Sequence, residues 1–515
     1  MQQITAELNR ILASASFRSR KLIKKFLHYA VMETLAGRGD DLNQYTIAVN
    51  ALGKPADFSP IYNPVVRIEA GRLRKLLDDY YANTEALGSI KIKMPKGSYQ
   101  VEFIPTNTQQ LELNTVEFGQ QHSTEGPRLF VHFQMLQAEN EAAYPLFYKV
   151  RGDLLLLLSR FRNVRLVSSI ALETALPLTK QTVEEIWKVY QADYILNCDV
   201  HANAGGVEFC FMLAHTLTDE TVWRSKISVP CEPTAQTLQD LYQQVAANTV
   251  SLHSGLALNH WAQYLQSNTA ALAEHHAVLV RYMAFLREIT PDSFTQAVST
   301  CQQRLKRFPN DSKALVILAR LCGFNDILQY HLIPDHAQTW TNAARMAMKL
   351  DTGNAEAHSV FAHNSFFRGD YVLCRAELEI AYQANPYDVS NTFLYGVGLC
   401  LMGDWDVGVA MVERLMRVPF NQPDWYNLLP FVNAFNHEDF ATALVWAERI
   451  QGFGYWGEVA RCATYSRLGQ MERARAEFTR LQQKIGVTDT ATIEYVLPAY
   501  AFLHKVRAAL LVLVV

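Results

Sequence analysis

At 515 residues, with 49% hydrophobic and 19% charged side chains, the chain is too long for one ordinary core and too apolar for a disordered one. The net charge of −3 hides an asymmetry: residues 1–105 hold fifteen Lys/Arg against ten Asp/Glu, a balance of +5, while the remainder stands at −8. A basic head on an acidic body excludes little by itself, but it suits a head that meets a polyanion.

In the head, Phe17 to Ala36 carries Leu22, Phe26, Ala30, Val31 and Leu35 at helical spacing, and Gly37 ends it. A short helix over Tyr45 to Leu52 follows, then the turn-rich stretch KPADFSPIYN. Asn63-Pro64 reads as a cap and first turn, opening a helix to Tyr81 that buries Val66, Leu73 and Leu77. The stretch SIKIKMPKGSYQVEFIP then alternates polar and apolar residues about Pro95-Lys96-Gly97, as a hairpin does. The third helix carries Arg67, Arg72, Arg74 and Lys75; the hairpin carries Lys91, Lys93, Lys96 and Tyr99.

Three helices and a hairpin follow the winged-helix order. The run RIEAGRLRKLL…IKIKMPKGSYQVEF resembles the recognition helix and wing of response-regulator-type winged helices. With LNQYTIAVNALG and NPVVRIEAGRLR, residues 1–105 resemble the N-terminal domain of bacterial regulators that add an α/β module and tetratricopeptide repeats. The resemblance implies an α+β head binding duplex DNA, with arginines reading bases and hairpin lysines neutralising phosphate. In the alternative, Glu69 and Asp78-Asp79 pair with those cations and the face docks protein instead.

Residues 106–128 lose apolar periodicity and read as a linker. Over 129–260, RLFVHFQML, VRLVS, ADYILNCDVHA, GVEFCFMLAHT and VWRSKISV read as strands among helices, giving an α/β domain with a mixed sheet. This stretch resembles the module similar to the N-terminal domain of TolB, which also occurs beside class III adenylate cyclase domains. No ligand follows from that resemblance, and the run LLLLL within it reads as core.

From residue 270 to 515 everything reads as helix with a repeat. Gly369 and Gly403, Tyr371 and Trp405, and Cys374 and Gly408 are each 34 apart, the tetratricopeptide period. Ala362, Ala381 and Gly396 are the small residues expected where paired helices meet, as is Ala443, and Pro386 closes one unit. Five to six units are counted, with a long insertion near Asp335, forming an all-α right-handed superhelix. Such arrays imply a protein or peptide partner in the groove; packing on the middle domain or homo-oligomerisation is the other use.

The eight cysteines (Cys198, Cys210, Cys231, Cys301, Cys322, Cys374, Cys400, Cys462) show no CxxC pair, so neither zinc nor a disulfide framework is expected. His275 and His276 are adjacent on a helix, which should direct their rings to different sides. No phosphate loop, HExxH, GxSxG or GxGxxG occurs. No signal peptide, membrane span, metal or cofactor is expected, and the chain reads as a cytoplasmic non-enzyme. The leading function is a DNA-binding transcriptional regulator whose repeats bind protein. The alternatives are a protein-interaction scaffold without DNA binding, and an adenylate-cyclase-associated signalling protein lacking the catalytic domain.

Overall fold

The computed structural model describes residues 2–14, 16–18, 20–36, 38–39, 42–55, 65–82, 90–95, 98–105, 124–138, 143–167, 180–203, 205–268, 272–486 and 503–513. The chain forms two compact units, Met1–Phe118 and Gly119–Val515.

In the first unit, α1 (Gln2–Ala13), α2 (Lys21–Leu35), α3 (Gln44–Asn50) and α4 (Val65–Ala82) precede strands β1 (Ile90–Lys93) and β2 (Glu102–Pro105). The strands pair antiparallel, Ile92 opposite Phe103. Two features differ from the expectation. The segment 2–13 is helical, because Leu8 and Ile11 share one face and are buried. The second helix starts at Lys21, not Phe17, because Phe17 is a buried turn residue whose carbonyl accepts the N–H of Arg20. Asn43 caps α3 by accepting the N–H of Thr46, whose hydroxyl accepts the N–H of Asn43 in return. The core gathers Phe26, Ala30, Leu73 and Leu77 from the helices and Ile92 and Met94 from the hairpin. The Asn63-Pro64 helix start and residues 106–123 of the expected linker lie outside the described residues.

The second unit opens with a five-stranded mixed sheet. β3 (Arg128–Ala138) runs parallel to β4 (Arg165–Val167) and to β5 (Tyr194–Asn203); β6 (Gly206–His215) and β7 (Thr221–Val229) continue as an antiparallel meander, in spatial order β4-β3-β5-β6-β7. Alternation sorts the two faces. Leu129, Val131, Tyr194 and Leu196 face the main core with α5 (Ala143–Leu158) and α7 (Ala235–Thr249), whereas Phe130 and Ile195 meet Ile186 of α6 (Lys180–Tyr190). The leucine run is core at Leu154, Leu157 and Leu158, with Leu156 left exposed. Helix α8 (Leu256–Ser267) leads into the repeats.

From 274 to 485 six helix pairs succeed one another: α9 (Glu274–Arg287) with α10 (Pro291–Arg307), α11 (Ser312–Ile327) with α12 (His336–Leu350), and α13 (Ala355–Phe367) with α14 (Tyr371–Ala384). Then come α15 (Val389–Leu401) with α16 (Trp405–Met416), α17 (Leu428–Asn436) with α18 (Phe440–Arg449), and α19 (Trp456–Arg467) with α20 (Met471–Ile485). A last helix, α21 (His504–Leu511), packs on α19 and α17. The 34-residue spacing has a backbone cause. Gly369, Gly403 and Gly469 take φ of +79°, +98° and +73° at the turn inside a pair, and Glu438 takes the same place at +62°. Ala362, Ala381 and Ala443 are buried between helices. At α15–α16 the approach is closer still: a Cβ on Gly408 would lie 2.4 Å from the Gly396 carbonyl oxygen.

The middle domain and the repeats share one core. The α7–α8 connection enters the array, where the His253 N–H donates to Ser390 Oγ at 3.3 Å and Asn248 Nδ2 donates to the Pro419 carbonyl at 2.9 Å.

Candidate functional site

In the head, the cations expected to face DNA divide by what they touch. Arg74 turns to the hairpin: Nε donates to the carbonyls of Met94 and Pro95 at 3.2 and 3.1 Å, and Nη2 to that of Ser98 at 2.9 Å. Its guanidinium clamps the hairpin on α4, which is at odds with reading a base. Arg72 pairs with Glu69 at 2.6 Å, as the protein-docking alternative anticipates. The Lys91 ammonium sits 5.0 Å over the Tyr81 ring, and Tyr99 is half-buried beside Phe26. Lys75 and Lys93 are exposed, as are Arg18, Arg20, Lys21 and Lys25 at the start of α2, a cluster the sequence reading passed over. The side chains of Arg67, Asp78, Asp79 and Lys96 lie outside the described residues.

In the array, the residues expected to pack helices separate by role. Ala362, Ala381 and Gly396 lie in helix contacts, Gly369 and Gly403 make turns, and Pro386 is half-buried two residues before the Asp388 cap. Tyr371, expected to pack, is 56% exposed with its ring against Phe366. Trp405 faces inward to a feature that no motif announced, a cavity of about 230 Å³ in the channel of the array.

Helical spacing explains the walls of this cavity. Arg320, Gly323, Phe324 and Ile327 form one face of α11; Ser359, Val360, His363 and Phe367 one face of α13; Phe393, Leu394, Val397 and Leu401 one face of α15. The first helices of the five pairs from α11 to α20 thus line the channel, joined by Trp340 of α12 and Trp405 of α16. Across it, Trp456 Nε1 and the Tyr455 hydroxyl both donate to the Ile327 carbonyl, at 3.1 and 3.2 Å. The start of α19 thereby meets the end of α11, and Phe324 and Phe453 face each other at 6.5 Å. The chain's own His253 supplies part of the wall, so the groove is partly filled from within.

A few buried polar groups interrupt this apolar surface. The Arg320 side chain is 6% exposed, and Nη2 lies 3.8 Å from Glu356 Oε2, beyond hydrogen-bond reach. Among the described residues, Arg320 Nε and Nη2, Trp340 Nε1, Ser359 Oγ, and Nε2 of His253 and His363 have no hydrogen-bond partner. The other Glu356 oxygen accepts from Asn163 Nδ2 at 2.5 Å. Burial pushes the Asp388 carboxyl up to about 6, Glu356 adding to the rise, while the Ser390 N–H and Arg320 pull it back. Burial, then Arg320, holds His253 well below the ordinary histidine value. Burial lowers His363 to about 4. Its Nδ1 lies 2.7 Å from the Ser359 carbonyl, which can only accept, so the neutral ring keeps Nε2 as a bare acceptor.

A second, polar cleft of about 480 Å³ runs past Glu220, His260 and Arg287. There His260 is engaged at both nitrogens, Nδ1 with the Tyr194 hydroxyl at 2.6 Å and Nε2 with Glu220 at 3.2 Å. The His275 and His276 rings, expected apart, lie 4.0 Å between centroids, because His276 Nδ1 is drawn to the Glu125 carbonyl at 3.0 Å. Among the described residues, no group of three or more His, Cys, Asp or Glu could hold a metal ion, and no helix is long and apolar enough to cross a membrane.

No family model matches the sequence, and no curated protein matches it. Similar solved structures include PilW, a type IV pilus biogenesis factor, at 16% identity over 42% of this chain and 93% of that one, with a TM-score of 0.29. Others are the Cut9–Hcn1 hetero-tetramer of the APC/C, at 13% over 54% and 61% with 0.35, and TolB from Acinetobacter baumannii, at 14% over 24% and 28% with 0.17. The description of 274–485 as a helical repeat rests on the chain's own paired helices.

Proposed function

We propose that the chain is a non-enzymatic protein-interaction scaffold whose partner docks on the corners of the repeat array. One observation carries this: apolar side chains stand exposed where paired helices turn, with Tyr371 at 56%, Val372 at 83% and Val407 at 59%. The two corners adjoin, since Arg375, one turn beyond Val372, bonds Asp404, the residue capping the helix that carries Val407. Apolar side chains grouped at a protein surface mark sites of association. The inner groove, part-filled by the α7–α8 connection, suits a peptide less well.

The test is photo-cross-linking in cells from positions 372 and 407, with exposed Val189 of α6 as control. Adducts to one protein from the first two positions alone, and loss of binding by that purified protein to Val372→Glu/Val407→Glu, are expected. Equal labelling from all three positions refutes the docking surface.

A second reading, a DNA-binding regulator, is favoured by exposed Lys75 and Lys93 together with the basic start of α2. It requires salt-sensitive retardation of duplex DNA by the full chain.

A further inference from the structure

We infer that the channel cavity is a binding site for a small neutral molecule with an apolar body and one carbonyl acceptor, of the ketone, ester or lactone class. The site is independent of the protein partner proposed above.

Size comes first. A cavity of about 150 Å³ holds the six carbons of benzene, so this one of about 230 Å³ takes roughly nine heavy atoms. The walls are aromatic and aliphatic, with Phe393, Trp405, Trp425 and Val397 among them, and offer little to a sugar or a nucleotide.

The polar groups then choose the ligand's one functional group. Arg320 Nε and Nη2 and Trp340 Nε1 are donors, all on residues lining the cavity, buried and without partners among the described residues. Buried donors left unmade are rare in folded proteins and costly, and an acceptor brought by a ligand relieves them. Charge balance excludes a carboxylate in that role. Glu356, 3.8 Å from Arg320, already compensates the guanidinium, and the buried Asp388 carboxyl lies within the same electrostatic cluster. Lys313 also faces Glu356, so two cations already stand against two acids; an added anion would upset that balance and lose its hydration. A carbonyl oxygen accepts from the guanidinium with neither penalty.

Acetophenone, ethylbenzene and benzoate form a test series of nearly constant shape: acceptor, no acceptor, and anion. Their dissociation constants for the full chain are measured by ligand-observed NMR. Acetophenone is expected to bind at least about tenfold more tightly than ethylbenzene, because it alone meets a charged donor without a charge of its own. Benzoate is expected to be the weakest.

Equal affinity for ethylbenzene reduces the cavity to a greasy void and overturns the assignment. So does tighter binding of benzoate, or no saturable binding of acetophenone. Val397→Phe fills the space and should abolish binding while the melting temperature is kept; binding that survives it places the site elsewhere. Arg320→Met should leave ethylbenzene unchanged and bring acetophenone within threefold of it. A preference that survives in folded Arg320→Met overturns the role of the guanidinium. Should that variant fail to fold, the wild-type series and Val397→Phe still decide.

Discussion

Replacing Arg74 with methionine is expected to loosen the β1–β2 hairpin. Two guanidinium N–H groups reach three main-chain carbonyls, those of Met94, Pro95 and Ser98, at 3.2, 3.1 and 2.9 Å. A hydrogen bond from a charged donor contributes about 1.5–3 kcal/mol net. Arg74 is only half-buried and its Nε divides between two acceptors, so two donors at or below the low end give about 2–3 kcal/mol. Methionine preserves most of the aliphatic stem packing, leaving the lost bonds as the main difference. Hydrogen exchange by mass spectrometry on the full chain reads this locally. Peptides covering residues 90–95 and 98–105 should exchange roughly 30- to 160-fold faster, the same free energy expressed as an opening equilibrium. Unchanged protection there would refute the clamp and return Arg74 to the candidates for base contact.

Gly408→Ala places a Cβ 2.4 Å from the Gly396 carbonyl oxygen and 2.5 Å from Cys400 Sγ. It should cost about 1–3 kcal/mol, seen as a lower urea midpoint. Stability should fall in acid: burial holds His276 and His363 at about 4 in the folded chain, against an unfolded value of about 6.5. The unfolded chain therefore binds protons that the folded one refuses. Stability from this source is intact above about pH 6.5 and is lost toward pH 4, by about 1.4 kcal/mol per pH unit for each histidine. Urea titrations across that range, compared with His363→Gln, check it; identical slopes in the two proteins count against it. If the head grips DNA, Lys75→Ala and Lys93→Ala should each reduce the salt slope of binding by about one, and unaltered slopes remove those contacts.

The helix pairs were legible in the sequence because their determinants are local. A glycine at positive φ recurs at Gly369 and Gly403, and small residues recur where helices touch. The strands of the middle sheet were legible for the same reason, through alternation. Helix α1 is marked by only a thin apolar stripe, with Leu8 and Ile11 buried and the start MQQITAELNR largely polar. Arg74 shows what a sequence withholds, since it displays the charge and not the direction of the side chain. The cavity was hidden more deeply. Its closing contact pairs Tyr455 and Trp456 with a main-chain carbonyl, which leaves no mark in residue type at position 327. Arg320, the lone charge within the run ALVILARLCGF, was a visible anomaly that periodicity alone could not interpret.

An open solenoid tolerates gain or loss of a unit, since each touches only its neighbours. The bond pair from Tyr455 and Trp456 to Ile327 removes that freedom. Inserting one more 34-residue unit between positions 328 and 454 would displace donors and acceptor by a whole repeat. Duplication and deletion, the usual routes by which repeat proteins change length, are therefore blocked over this stretch. The same latch alters how the array comes apart. The helix pairs from α11 to α19 cannot fray from one end while their termini stay fastened, so they should be lost together, as a hoop fails when its clasp opens.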